Sequence, residues 1–189
     1  MIFGWGRKAS ANEAAQKVVQ AFLTFMSWEY ESADGPVAKQ IRSAYGFDIL
    51  ILAAEFRHVL MYLMLRALHQ KYHDKADPII AEFFRLLREK KMGYFEEDSL
   101  PAYDKAWRGA IDGLTSRYSP DLGIAMERFR ADAQGSVLHD PCYSLGKLAC
   151  IRAFGEEDAQ HIMILAWAQR RTVQYLKIVS DFVNLLDPM

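Results

Sequence analysis

The chain between Phe47 and His73 reads FDILILAAEFRHVLMYLMLRALHQKYH, and this stretch decides the fold class. When it is wound as an α-helix, at about 100° per residue, its polar side chains fall in one narrow stripe. The stripe consists of Glu55, His58, Tyr62, Arg66, His69 and His73. Most of the remaining circumference is apolar, which is typical of the central helix of a helical bundle.

Two interpretations of this stripe are open. It is either the one solvated strip of a largely buried helix or, in part, the wall of an interior pocket. Continued backwards through Gly46, the same helix would bring Ile41 and Tyr45 into the stripe, although both look like core residues. Either the helix breaks near Gly46 or the stripe turns inward.

The first helix is marked by a capping signal and a breaker. Ser10 and Glu13 have the spacing of a capping box, in which each side chain accepts a hydrogen bond from the backbone N–H of the other. The helix is predicted to run from there to about Ser32. The sequence Asp34-Gly35-Pro36 then ends it, because proline cannot continue the hydrogen-bond ladder.

Proline also marks the start of later helices. Asp77-Pro78 and Asp140-Pro141 each place an N-cap before a proline, and Gly93 and Gly155 are natural positions for the ends of those two helices. Further helices are predicted over 101–118, from Ser119-Pro120 onward, and from Glu156 to about Leu186, with His161 on the inward face of the last one.

The fold prediction follows from these segments. No segment shows sustained alternation of polar and apolar residues, as a half-buried strand would require. We predict an all-α fold in which residues 1–189 form a single-domain, mostly antiparallel bundle of about six or seven helices. Residues 1–9 precede the first cap and are predicted to be a flexible N-terminal segment.

Composition narrows the functional class. The 189 residues carry a formal net charge of −1 and are 51% hydrophobic, which is typical of a globular protein and argues against nucleic acid as a partner. The apolar runs are too short to span a membrane, and the first residues lack the order of a secretory signal. Cys142 and Cys150 form no disulfide framework, so a reduced, cytoplasmic setting is expected.

Two short motifs suggest a metal site. Glu55 and His58 have Glu-x-x-His spacing, and Asp158 and His161 repeat it with the shorter aspartate, beside Glu157. Di-iron and di-manganese carboxylate bundles combine two such pairs with a glutamate from each of two other helices. On the first helix, Glu29 continues the core stripe and is the candidate donor. These six residues are the predicted ligands of iron, manganese or zinc.

The last helix carries a candidate contact surface. Met163 and Trp167 lie one turn apart on the side where polar residues should face water, and both residue types are enriched at protein interfaces. If exposed, they predict self-association or a protein partner, with a twofold homodimer as the simplest form. The alternative is a second packing face inside the bundle.

Two functional hypotheses therefore stand. The first is a non-enzymatic protein-interaction or regulatory module, which could be homodimeric, and it predicts a solvated Glu55–His58–Tyr62 stripe. The alternative is a bundle that binds a metal or small ligand, as a di-iron-carboxylate-like enzyme would, and it predicts that the Glu55 and His161 groups converge. The first is favoured, because no motif for the second is complete.

Overall fold

The computed structural model describes residues 10–33, 35–90, 99–132 and 139–187, with side chains omitted at 29 and 31–33. These residues form eight α-helices and contain no strand, which confirms the all-α prediction. The helices are α1 (Ala11–Ala33), α2 (Pro36–Tyr45), α3 (Ile49–Tyr72), α4 (Ala76–Glu89), α5 (Leu100–Arg117), α6 (Leu122–Ala131), α7 (Pro141–Phe154) and α8 (Ile162–Leu185). The predicted flexible segment 1–9 and the predicted helix end at Gly93 lie outside the described residues.

Several helix ends lie where local side chains cap them. The backbone N–H of Ser10 donates to Glu13 Oε2 at 2.9 Å, and the N–H of Glu13 donates to Ser10 Oγ at 3.2 Å, as a capping box requires. Asp140 caps α7 by accepting from the N–H of Cys142 at 2.8 Å. At Asp77 the prediction is wrong, because α4 already begins at Ala76, after a 3₁₀ turn over His73–Lys75.

The chain breaks at Gly46, so α2 and α3 are separate helices. Gly46 ends α2 with a φ of 76°, a left-handed conformation that glycine adopts without steric cost. Asp48 then caps α3, its side chain accepting a hydrogen bond from the N–H of Leu50. This break explains why Ile41 and the α3 stripe need not share one helical face.

The last helix begins later than the sequence predicts. After Gly155, residues Asp158–Gln160 form a 3₁₀ turn, and α8 starts only at Ile162. His161 is the extended residue before α8, with a ψ of 119°. The expected helix start at Glu156 is therefore wrong, and Asp158 and His161 do not share a helical face.

The core surrounds α3, which packs against α1, α4, α5, α7 and α8. Phe56, Leu60 and Leu68 of this helix are almost fully buried. The helices α7 and α8 also pack closely: a Cβ added at Gly146 would lie 3.0 Å from the carbonyl carbon of Ala168. Among the described helices, none is long and apolar enough to cross a membrane.

Candidate functional site

The polar stripe of α3 divides into two halves with different surroundings. In the first half, His58 and Tyr62 are buried and Glu55 is half-buried. In the second half, Arg66 is half-buried, whereas His69 and His73 are exposed. A solvated strip is therefore the wrong interpretation for the first half. The second half lines an open cleft.

The first half is closed by side chains from α5 and α7. Arg152 Nε donates to Glu55 Oε2 at 2.9 Å, and the Tyr103 hydroxyl donates to the same oxygen at 3.3 Å. Arg152 also donates through Nη2 to Ser99 Oγ at 2.9 Å. Together with His58, these residues form what we call the Glu55 cluster. It connects α3, α5 and α7 at one level of the bundle.

These contacts determine the protonation states of Glu55 and Tyr103 in the Glu55 cluster. Burial opposes ionisation of Glu55, but His58 and Arg152 outweigh it and lower the pKa of the carboxyl group to about 2. Burial, with the Glu55 carboxylate beside it, raises the pKa of Tyr103 far above its ordinary value. At neutral pH, Glu55 is therefore an anion and Tyr103 remains a hydrogen-bond donor.

His58 is almost fully buried, with 3% of its surface exposed. Its Nδ1 lies 3.5 Å from Glu55 Oε2, which is beyond good hydrogen-bond distance. Neither ring nitrogen has a hydrogen-bond partner among the described residues. The contact between His58 and Glu55 is therefore electrostatic.

The structure brings only two of the predicted metal ligands together, Glu55 and His58. Glu157 and Asp158 are exposed at the turn before α8. The ring of His161 packs 4.6 Å from that of Tyr45 and 5.4 Å from that of Phe47, measured between centroids. The side chain of Glu29 lies outside the described residues.

Arg152 changes the chemistry expected at the Glu55–His58 pair. Its guanidinium already neutralises the carboxylate, which leaves less negative charge to attract a metal cation. Within the described parts of the chain, no three His, Cys, Asp or Glu side chains are grouped as a metal would require. The metal site stays a prediction, and the metal content of wild type and of Glu55→Ala and His58→Ala would test it.

The second half of the stripe lines an open cleft of 840 Å³ between α3, α4 and α5. We call it the α3–α4–α5 cleft. Its apolar wall comes from all three helices: Leu65, Phe84, Leu100 and Pro101. Its polar groups are Tyr62, Arg66, His69, Gln70, His73, Asp104 and Arg108. Its volume is in the range of small-molecule sites, about 300–1,000 Å³.

Asp104 is the one carboxylate that the described residues contribute to the lining of the cleft, and it is already paired. Asp104 Oδ2 accepts from Arg108 Nε at 2.6 Å, and Asp104 Oδ1 accepts from the Tyr62 hydroxyl at 3.2 Å. Burial and the nearby Asp104 raise the pKa of Tyr62 to about 12, so this hydroxyl stays a donor. These contacts pair Asp104 with Arg108 and Tyr62.

Arg66 differs from Arg108, because none of the described carboxylates forms an ion pair with it. Its guanidinium carbon lies 4.8 Å from the centre of the Trp107 ring, a cation–π contact that fixes the position of the charge. The cleft therefore presents a positioned, half-buried guanidinium that hydrogen-bonds the Tyr62 hydroxyl but forms no ion pair with a described carboxylate.

The backbone is strained at the end of the cleft. His73 has a φ of 50° and a ψ of −126°, and it is the one non-glycine residue with positive φ in the described ranges. Such a conformation costs a side-chain-bearing residue about 1–3 kcal/mol and is common at ligand sites.

Sequence reasoning missed two contributors to these sites. Arg152 is in phase with the buried residues Leu145 and Ala149 of α7. That spacing could have placed its guanidinium at the core. Asp104 follows the buried Tyr103 without any signal of its own, and only the packing of α5 against α3 brings it to Tyr62.

The two residues of the predicted contact surface on α8, Met163 and Trp167, differ in their exposure. Met163 is 46% exposed, and the neighbouring Ile162 is 76% exposed. Trp167 is half-buried and packs edge-on against Phe56, with ring centroids 5.6 Å apart. Trp167 thus belongs to a second packing face of the bundle, whereas Met163 and Ile162 face outward.

No protein-family model, curated protein or solved structure matches the chain.

Proposed function

We propose that this protein is a non-enzymatic module that binds a small molecule in the α3–α4–α5 cleft. The observation that carries the proposal is the Arg66 guanidinium, which is positioned by Trp107 in a ligand-sized cleft and paired with none of the described carboxylates. A fixed charged group beside an apolar wall, in a cavity of this size, is the usual composition of a small-molecule site. A regulatory role would follow if ligand binding changed how α3, α4 and α5 pack.

A second cavity is a weaker candidate for the same role. It measures 230 Å³, and its lining includes Leu122, Met126 and Leu176. That volume is below the usual range for small-molecule sites. It also shares Arg66 with the larger cleft, so the same guanidinium cannot serve both cavities at once.

The proposal is tested by a nuclear magnetic resonance titration of methyl-labelled protein with decanol, a neutral apolar probe. We expect the methyl signals of Leu65 and Leu100 to shift, because both side chains line the cleft. Those of Leu114 and Leu145, which are fully buried elsewhere, should not move. Shifts confined to Leu122 and Leu176, or no shifts at all, would overturn the proposal.

Self-association is a second candidate function, and the exposure of Ile162 and Met163 favours it. A second copy of the chain would cover these apolar side chains at the start of α8, together with Tyr45, which is 47% exposed and packs on His161. Light scattering should then report a dimer in wild type and a monomer in Met163→Lys. Leu185→Lys is the matched control, since Leu185 is equally apolar but lies at the opposite end of α8. A monomeric wild type would refute this candidate.

The cytoplasm is the proposed location. Cys142 and Cys150 are buried, unpaired thiols. Burial raises the pKa of each to about 12, so both stay protonated and unreactive at neutral pH. A reducing compartment matches a protein that carries two free thiols. Fractionation of the native cells with an antibody would check this location.

A further inference from the structure

The ligand of the α3–α4–α5 cleft can be narrowed to a chemical class. We infer that it is a small anion with an apolar tail, whose charged end is bound by Arg66. This inference rests on the proposed function, because it assumes that the cleft is the binding site. It specifies the sign of the ligand's charge and the presence of an apolar tail, neither of which follows from the volume of the cleft alone.

The sign of the charge follows from the pairing within the cleft. Among the described residues, its lining includes two arginines and two histidines but a single carboxylate, Asp104. Asp104 is engaged by Arg108 at 2.6 Å and by Tyr62, and His69 Nε2 lies 3.9 Å from Asp77 outside the cleft. Arg66 is left without a carboxylate among the described residues. A cationic ligand would meet repulsion there, whereas an anion would complete the pairing.

The geometry of the ligand's charged end follows from the shape of the Arg66 guanidinium. A guanidinium presents parallel N–H donors that match the two oxygens of a carboxylate, and such charge-assisted pairs are shorter and stronger than neutral hydrogen bonds. The Trp107 ring, 4.8 Å from the guanidinium carbon, restricts the arginine before any ligand arrives. Less side-chain entropy is therefore lost on binding. Beside Arg66, the amide of Gln70 can supply a further donor.

The apolar tail follows from the opposite wall. Phe84 of α4 and Leu100 and Pro101 of α5 form an apolar surface across the cleft from the stripe. Leu65 adds to this surface from α3 itself. A simple inorganic anion would leave these side chains in water, but an aliphatic or aromatic tail would bury them and gain hydrophobic free energy.

The experiment compares three probes that share one tail: decanoate, decanol and decyltrimethylammonium. Binding of each is measured by isothermal titration calorimetry at neutral pH and low salt. We expect decanoate to bind at least about tenfold more tightly than decanol, and decyltrimethylammonium to bind most weakly. Arg66→Met should remove the preference for decanoate over decanol. Arg170→Met is the matched control, because Arg170 is an exposed arginine outside the cleft and should leave all three affinities as in wild type.

The outcomes separate this inference from the proposed function. If decanol binds in the cleft but decanoate binds no more tightly, the cleft is a ligand site and the inference about charge is wrong. If the preference for decanoate survives Arg66→Met, Arg66 is not the anion site, and the inference is wrong as well. If none of the three probes binds, the proposed function itself fails. Circular dichroism of Arg66→Met establishes that a loss of preference does not come from unfolding.

Discussion

The two halves of the α3 stripe carry similar side chains and meet opposite surroundings. In the first half, Glu55 is met by Arg152 and Tyr103, and the polar groups are closed within the bundle. In the second half, Arg66 faces an open cleft and has no described carboxylate beside it. Except for His73, which follows α3, both halves lie on one continuous helix with one periodicity. They differ because α7 brings the Arg152 guanidinium to Glu55 in the first half, whereas none of the described helices brings a carboxylate into an ion pair with Arg66 in the second half.

Because of this difference, we expect the first half of the stripe to contribute to folding and the second half to ligand binding. A polar group that has its partner inside the protein contributes to folding, and it has little capacity left for a ligand. A positioned cation without a partner contributes little to folding and is available for binding. Substitutions in the first half should therefore change stability, and those in the second half should change binding.

The largest loss in the free energy of unfolding is expected for Arg152→Met. It leaves the Glu55 carboxylate, with 19% of its side chain exposed, without its cation. Removing one member of a fully buried ion pair costs about 3–5 kcal/mol. This pair is only partly buried, with 29% of the Arg152 side chain exposed, so we expect a smaller loss of about 2–3 kcal/mol. The measurement is the free energy of unfolding by urea denaturation.

A double-mutant cycle identifies the source of that loss. Combined with Glu55→Gln, the Arg152→Met substitution should cost much less than it does alone, because the uncompensated carboxylate is gone. Arg170→Met, an exposed arginine on α8, is the control and should leave the free energy of unfolding unchanged within about 0.5 kcal/mol. Additive costs in the cycle would show that Glu55 and Arg152 are not coupled.

The next effect is the pH dependence of stability. The folded-state pKa of Glu55 is about 2, below its ordinary value of 4.5, so the ionised carboxylate stabilises the fold at any pH above about 4.5. This contribution is lost as the pH falls from 4.5 towards 2, because the unfolded chain then binds a proton that the folded chain does not. Allowing for partial exposure, we expect wild type to lose about 2 kcal/mol more than Glu55→Gln over this interval. Parallel pH curves for the two proteins would contradict the assignment.

The fold could be predicted from the sequence where local chemistry sets it. The Ser10–Glu13 capping box and the Asp140 cap involve residues two or three apart, so no tertiary contact is needed to recognise them. The start of α8 is different. Glu156 to His161 could continue a helix by its pattern, but burial of Ala159 and the packing of His161 on Tyr45 and Phe47 hold this segment as a turn.

The candidate site could be predicted only in part, for the same reason. The α3 stripe is a local periodicity, and it was found. Its division into two halves depends on Arg152, which lies 97 residues from Glu55 along the chain and reaches it only because α7 packs on α3. The cleft likewise needs Phe84 and Leu100 from two other helices. A single helix cannot indicate which partners its polar face will meet.

A smaller effect, and of opposite sign, is expected for His73→Gly. Glycine adopts a φ of 50° without the steric cost that histidine has there, so the free energy of unfolding should rise by about 1 kcal/mol. Gln70→Gly is the control, since Gln70 is exposed but helical and should lose about 1 kcal/mol. Thermal and urea unfolding of the two variants give the comparison. A destabilised His73→Gly would show that the imidazole supports the fold.

The smallest effect on stability is expected for Arg66→Met, and it is the sharpest test of the comparison. Among the described residues, Arg66 hydrogen-bonds Tyr62 and makes a cation–π contact with Trp107, which contributes about 0.5–1 kcal/mol at a partly exposed site. Methionine keeps most of the apolar stem against the ring, so the free energy of unfolding should fall by less than about 1 kcal/mol. Urea denaturation of Arg66→Met beside Arg152→Met measures the difference between two arginines at neighbouring levels of one bundle. Equal losses in the free energy of unfolding would mean that the second half of the stripe is structural too. Arg66 would then not be available to bind a ligand in the cleft.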